Sequence, residues 1–287
     1  KAIAADAPIM TTNGALDSAY AQQNGVYLIQ QQSSGRYVDA HEWGGEDFSL
    51  VTRPWQGNNT QLWAFRTVGT VYTMQQEVNR RYVDAYERGS ADFSLVTRAA
   101  ENNDTQRWVF KPLGNSTYTI QQLSNARYVD AHALPDADYS VVTRPLQENN
   151  TQRWIVRQAG SNSYTIRQVS TGLYMDAYVT SDRDYEIVMR KAQNNDTQRW
   201  ILRSVGTLCT IRQVSSGRYV DAHVTSDHDY SIVTRSIQHN DTQRWVLKPL
   251  SNNTYTIQQL STGRYVDAHE VSDRDFSLVT RSDQQNS

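Results

Sequence analysis

The sequence predicts an all-β chain built from six four-stranded repeats of about 46 residues. Three observations carry that prediction. The phrase Tyr-Val-Asp-Ala, or a close variant, recurs six times, with aspartates at Asp39, Asp84, Asp130, Asp176, Asp221 and Asp267 and steps of 45, 46, 46, 45 and 46 residues. A second phrase, Thr-Gln-x-Trp, recurs five times, ending at Trp63, Trp108, Trp154, Trp200 and Trp245, and keeps the same beat. Within each repeat apolar residues alternate with period two, and no stretch carries the 3.6-residue stripe of an amphipathic helix.

Residues 209–254 show the elements in order. Strands are expected at Thr210–Gln213, Arg218–His223, Tyr230–Arg235 and Gln243–Lys248, each rich in β-branched and aromatic residues. Between them lie Ser-Gly, Thr-Ser-Asp, His-Asn-Asp and Ser-Asn-Asn, residues that tolerate left-handed backbone or hydrogen-bond their own turn. Six such units fit two closed architectures: two tandem β-trefoils of three units each, or one six-bladed β-propeller.

The sixth unit reaches Ser287 without a Thr-Gln-x-Trp of its own, so either the chain continues or another segment takes that place, with Leu16 to Ala21 as the candidate. The expected organisation is an N-terminal tail over 1–14, a first trefoil over 15–150 and a second over 151–287. The chain opens at Lys1 with neither Met nor a charged-then-apolar leader, and reads as a processed form or a partial sequence.

Composition removes several function classes. With 28 basic and 30 acidic residues the net charge is -2, which offers no basic field for a nucleic-acid backbone. No apolar run approaches 18 residues, so no membrane-spanning helix is expected. The one cysteine, Cys209, allows neither an intrachain disulfide nor a cysteine zinc cluster. The six histidines show no zinc spacing, and the Asp-rich turns lack the pattern of a calcium-binding loop, so neither metal nor other cofactor is expected.

The succession Gly-Arg-Tyr-Val-Asp-Ala (35–40), Val-Thr-Arg (51–53) and Thr-Gln-Leu-Trp (60–63), repeated down the chain, resembles the ricin-B-type (Gln-x-Trp) β-trefoil lectin family. The likeness covers nearly all of residues 27–287 and puts the trefoil ahead of the propeller. It implies that the strand aspartate accepts hydrogen bonds from sugar hydroxyls, a role that would fall on Asp39, Asp84, Asp130, Asp176, Asp221 and Asp267. Strand alternation turns Val38 and Ala40 to the core and Asp39 outward, and an ionised carboxylate offers two acceptor oxygens to a diol. The bland alternative is an aspartate that ties down its own turn or pairs with a nearby arginine.

The chain also departs from that family. Val51, Val96, Val142, Val188, Val233 and Val279 stand where the sugar-stacking ring is usual, and the family's disulfide cysteines are replaced by residues such as Tyr37 and Arg53. A galactose preference therefore does not carry over. A ring does follow two residues after each aspartate: His41, Tyr86, His132, Tyr178, His223 and His269. A second ring follows an aspartate in the next turn, from Asp47-Phe48 to Asp275-Phe276. Aspartate, ring and turn pair are expected to form a shallow sugar pocket, with the Phe versions as core residues instead. The repeated arginines, from Arg53 to Arg281, are expected to pair with aspartates.

The five motif tryptophans are expected in the core, while Trp43 and Trp55 lie outside the repeat pattern and mark an exposed patch. Seven Asn-x-Thr/Ser sites fit a secreted or extracellular protein, or simply a repeated turn that needs Asn. Every polar feature recurs five or six times, as suits a multivalent binder rather than an enzyme. The expected function is a carbohydrate-binding lectin, a hemagglutinin or cell-attachment module whose partners are glycans or glycoproteins, with a homodimer or a separate toxin or enzyme subunit as the wider assembly. The alternative is a protein-binding trefoil, such as an actin-bundling protein or a protease inhibitor.

Overall fold

The computed structural model describes residues 9–11, 25–251 and 254–282, and among them all regular structure is strand or short 3-10 turn. The first five repeats have four strands each, and the sixth has three among the described residues, Tyr255–Gln259, Tyr265–Ala268 and Leu278–Arg281. In the third repeat the four are Thr117–Gln122, Tyr128–Ala131, Val141–Arg144 and Trp154–Gln158, with a 3-10 turn at Asn150–Gln152 before the last. The two middle strands form a hairpin, Tyr128 opposite Arg144 and Ala131 opposite Val141. The fourth strand pairs with the first strand of its own repeat, Trp154 opposite Tyr118, and with that of the next, Trp154 opposite Gln168. Compared with the expected strands, Tyr230 and Gln243 fall outside, in a left-handed turn and a 3-10 turn.

The chain divides into two compact units: Gly69–Val205, and Lys1–Val68 together with Gly206–Ser287. The continuous unit holds the second, third and fourth repeats and is one complete trefoil. Its ring of strands closes where Gln76 Nε2 donates to Thr197 O at 3.0 Å and Glu77 N to Arg199 O at 2.9 Å. The discontinuous unit joins the first repeat to the fifth and sixth: Gln213 Nε2 donates to Thr60 O at 2.9 Å and Val214 N to Leu62 O at 2.9 Å.

This corrects the expected boundaries of 15–150 and 151–287. The division is set by where each fourth strand turns. At Gly114, Asn115 and Ser116 the backbone is left-handed (φ +95°, +52° and +58°), and the chain folds back so that Trp108 meets Gln122. No such turn interrupts Trp63–Gln76 or Trp200–Gln213, each an unbroken strand of 14 residues. The tail expected over 1–14 is corrected too, because Ile9–Thr11 is a strand that pairs in parallel with Leu28–Gln30. Pairing there covers an edge of Gly25–Gln30 whose counterparts in other repeats meet a Thr-Gln-x-Trp strand. The candidate segment Leu16 to Ala21 lies outside the described residues.

Each unit has its own core. Trp108, Trp154 and Trp200 pack with Met74, Ile120 and Ile166 in one, and Trp63 and Trp245 with Tyr27, Ile211 and Ile232 in the other. All five tryptophans are fully buried, and each indole N–H is satisfied by the carbonyl 25 residues earlier, as from Trp154 Nε1 to Val129 O at 3.0 Å. Cys209 occupies a tyrosine's place in the second core, and burial pushes its thiol pKa far up. Asn58, Asn103, Asn149 and Asn240 cap their 3-10 turns, as where Asn149 Oδ1 accepts from Thr151 N at 3.1 Å. That bond gives the recurring Asn-x-Thr a structural reason.

Candidate functional site

Five of the strand aspartates are buried, not outward: Asp39, Asp84, Asp130, Asp176 and Asp221 are 6% exposed or less. Each uses Oδ1 to accept from the next residue's N–H, as Ala85 N does at 2.7 Å. In four of them Oδ2 accepts from the Gln-x-Trp glutamine: Gln106 to Asp84 at 3.2 Å, Gln152 to Asp130 at 3.3 Å, Gln198 to Asp176 at 3.1 Å and Gln243 to Asp221 at 3.2 Å. Arg53, Arg98 and Arg235 stand 3.9–4.0 Å from the same carboxylates. Alternation failed here because both faces of the four-residue strand are covered, one by the core and the other by the Asn-x-Thr-Gln turn. Asp267 is the exception, 41% exposed at its side chain with Oδ2 3.0 Å from Arg281 Nε.

The rings after these strands are brought together with carboxylates, but with those of the preceding repeat in the trefoil ring, not their own. In the discontinuous unit His41 Nε2 lies 2.9 Å from Asp275 Oδ2, His223 Nε2 2.8 Å from Asp47 Oδ2 and His269 Nε2 3.1 Å from Asp229 Oδ2. In the continuous unit His132 Nε2 lies 2.6 Å from Asp92 Oδ2, Tyr178 donates to Asp138 Oδ2 at 2.7 Å, and Tyr86 donates to Asp184. The pocket expected between each ring and its own repeat's turn pair is thereby corrected.

A strained backbone aims these acids. The Asp-aromatic pair is left-handed at both residues in all six repeats, as at Asp47 and Phe48 (φ +51° and +52°). Such residues cost about 1–2 kcal/mol each in an L-residue chain. The next repeat holds them in three ways. Phe48 O accepts from Thr234 N at 2.9 Å, the Phe48 ring lies under the Arg218 guanidinium at 3.8 Å, and Asp47 reaches His223. The same stacking joins Arg36 to Phe276, Arg81 to Tyr185, Arg127 to Phe93 and Arg264 to Tyr230. Tyr185 and Tyr230 are thus clamped like Phe48, Phe93 and Phe276, which corrects the expected core placement of the Phe versions, since all three are half-buried under an arginine; Tyr139 packs against the core instead.

The third-strand arginine completes each cluster. Arg53 Nη2 lies 3.5 and 3.4 Å from the two nitrogens of His41, and Arg190 Nη2 donates to Tyr178 OH at 2.7 Å. The acids stay open to solvent: Asp47, Asp92, Asp229 and Asp275 are 53–65% exposed. Asp138 is the most engaged, meeting Tyr178, Arg183 and Arg190. Burial pushes its pKa up, but bonds from Tyr178 and Arg190 and the charges of Arg190 and Arg183 outweigh this and hold it below the usual range. Bonds to Asp138 and Asp184 raise Tyr178 and Tyr86, keeping both as donors.

Sequence reasoning identified the rings but missed that the turn acids serve the next repeat. The signal was the aspartate placed beside a ring in all six turns, where two successive left-handed residues need an outside clamp. The valines at the family's stacking position are buried. Trp43 and Trp55 are exposed as expected, at 60% and 45%. Trp43 lies across Gly45, where an added Cβ would come within 2.4 Å of the ring. Among the described residues no group of three or more His, Cys, Asp or Glu is placed to hold a metal ion, and no helix is long and apolar enough to cross a membrane.

The family model described as ricin-type beta-trefoil lectin domain-like matches residues 18–97, 104–190 and 194–280. Among solved structures, the designed three-fold symmetric protein ThreeFoil is 16% identical with a TM-score of 0.43, covering 46% of this chain and 96% of that one. The Rhizoctonia solani agglutinin is 14% identical with a TM-score of 0.42, covering 47% and 95%. SeviL bound to asialo-GM1 saccharide is 20% identical with a TM-score of 0.38, covering 47% and 97%. No curated protein sequence matches the chain.

Proposed function

Because this chain belongs to the ricin-type β-trefoil lectin domain-like family, we propose that it is a multivalent carbohydrate-binding lectin that attaches to glycans through its repeated ring, carboxylate and arginine clusters. One observation carries the reading. The pairing of His41, Tyr86, His132, Tyr178, His223 or His269 with an acid of the preceding repeat recurs six times, and in five the acid is exposed.

In each open cluster one carboxylate oxygen is spent on the ring, and the third-strand guanidinium lies against that same ring. That is an acceptor next to donors, the complement of two neighbouring hydroxyls. The ring supplies a face for the apolar side of a pyranose. Asp39, Asp84, Asp130, Asp176 and Asp221 act from behind, fixing the strand that presents the ring and attracting the arginine. Asp267 alone of that set contacts sugar directly in this proposal. Each shallow site binds weakly, and several on one chain gain affinity by acting together. The mechanism is reversible binding without covalent chemistry.

The test is a glycan-array screen followed by red-cell agglutination with free-sugar inhibition. Binding to a related glycan set, abolished by the free sugar, is the expected result. Asp47→Asn, Asp92→Asn, Asp229→Asn and Asp275→Asn keep a residue that tolerates left-handed backbone, and together should lower the titre by about ten-fold or more. No glycan binding by the folded protein would overturn the reading and turn attention to Trp43 and Trp55 as a protein-docking patch.

A further inference from the structure

One turn breaks the pseudo-symmetry in three ways at once. In the other five repeats the glutamine closing the first strand accepts from a side chain three residues on: Gln31 from Ser34, Gln122 from Asn125, Gln168 from Thr171, Gln213 from Ser216 and Gln259 from Thr262. In the second repeat the pair is Gln76 and Asn79, and both Gln76 Oε1 and Asn79 Nδ2 are buried without a partner. The next position, fully buried as Leu123 and Leu260 in the third and sixth repeats, is Glu77, whose Oε2 is also buried and unpartnered. The left-handed position, glycine in four repeats, is Arg80 at φ +61°.

Two of the departing residues, Glu77 and Arg80, line one cavity. A space of about 580 Å³ opens in the continuous unit, lined by Glu77, Arg80, Arg199, Arg203, Tyr164 and the loop at Gly160–Ser163. Buried polar atoms are rarely left unsatisfied, and half of the six such atoms among the described residues lie in this four-residue stretch. Arg80 and Arg203 have no side-chain partner among the described residues, while Arg199 is held by Asp196 at 3.0 Å.

We propose that this cavity is a separate binding site for a carboxylated saccharide. With Arg199 paired to Asp196, the guanidiniums of Arg80 and Arg203 still outnumber the Glu77 carboxylate and favour an anionic ligand, and guanidinium suits the planar bidentate geometry of a carboxylate. Glu77 repels a bare anion but accepts from hydroxyls, so the ligand carries hydroxyls beside its charge. The volume lies within the range of small-ligand pockets and its lining is polar. Choosing a saccharide over another hydroxylated acid rests on the lectin reading.

The experiment is calorimetric titration of the whole chain with methyl glucuronide, methyl glucoside and inorganic phosphate. Saturable glucuronide binding at least about ten-fold tighter than either control is expected. Arg203→Ala should weaken it by a similar factor. Glu77→Leu, which restores the aliphatic residue that four of the other repeats carry, should weaken glucuronide binding and raise Tm, because the buried oxygen is removed. Equal binding of the glucoside, phosphate binding as tight as glucuronide, or a Glu77→Leu variant that binds glucuronide unchanged would each overturn the site. Agglutination inhibited by a neutral sugar, with no glucuronide binding, defeats this site alone. Glu77-dependent glucuronide binding without agglutination defeats only the multivalent lectin.

Discussion

Gln152 donates its Nε2 to Asp130 Oδ2 at 3.3 Å across 22 residues of chain, with both side chains almost wholly buried. The two signature phrases of the repeat, Val-Asp-Ala and Gln-x-Trp, are therefore the two ends of one hydrogen bond. Gln152 also holds Pro145 O at 2.9 Å and accepts from Gln147 N at 2.8 Å, so the amide knits strand, loop and turn. Gln152→Leu strands a buried carboxylate oxygen and should cost about 1–3 kcal/mol in the urea unfolding of the continuous unit. An aspartate that faced solvent would show almost no loss.

Trp154→Ala should cost about 3–5 kcal/mol, since it empties a fully buried site and removes the bond to Val129 O. Denaturation followed by the remaining tryptophans measures it. The same substitution at Trp43, which is 60% exposed, should leave the midpoint within about 0.5 kcal/mol.

Two acids of the continuous unit should give opposite pH signatures. Asp138 is held below its ordinary 3.8, so its contribution to stability is present above that pH and is lost as pH falls through the lowered folded value. Asp138→Asn should lower Tm at pH 7, with the difference closing only in strong acid. Glu186 is raised above its ordinary 4.5, first by burial and then by the nearby Asp138 charge. Its ionisation destabilises the fold, so Glu186→Gln should raise Tm at pH 7, the gain fading as pH drops to 4.5. Thermal melts between pH 3 and pH 7 read both.

Gly45→Ala should displace the Trp43 ring, because the new Cβ meets Cζ3 at 2.4 Å. A change in Trp43 emission, read in a Trp55→Phe background, checks it. Agglutination that falls in step would place Trp43 among the sugar contacts.

Much of the fold was legible, because the period, the strand breaks and the core tryptophans are local or regularly spaced. The burial of Asp39 and its counterparts was not, since period-two alternation describes a strand with one covered face and this strand has two. The grouping of repeats depends on long-range pairing, yet the chain marked it. The two 45-residue steps, from Asp39 to Asp84 and from Asp176 to Asp221, are those that cross between units. There the linkers read Thr-Val-Gly-Thr (67–70) and Ser-Val-Gly-Thr (204–207). Where the strand folds back the sequence has Gly-Asn-Ser (114–116) or Gly-Ser-Asn-Ser (160–163), in a segment one residue longer and rich in turn formers.

The insertion of one trefoil within another dictates an order of assembly. As the polypeptide leaves the ribosome, Gly69–Val205 has all three of its repeats and can close its ring while the fifth and sixth are still unmade. The first repeat, though synthesised earliest, must wait with its strand edges unmatched until the last repeats emerge. The inner unit matures first and the outer one is completed around a gap in its own chain, so a nascent chain arrested far enough past Val205 for that residue to have left the ribosome should hold a protease-resistant inner trefoil and a cleavable leading segment.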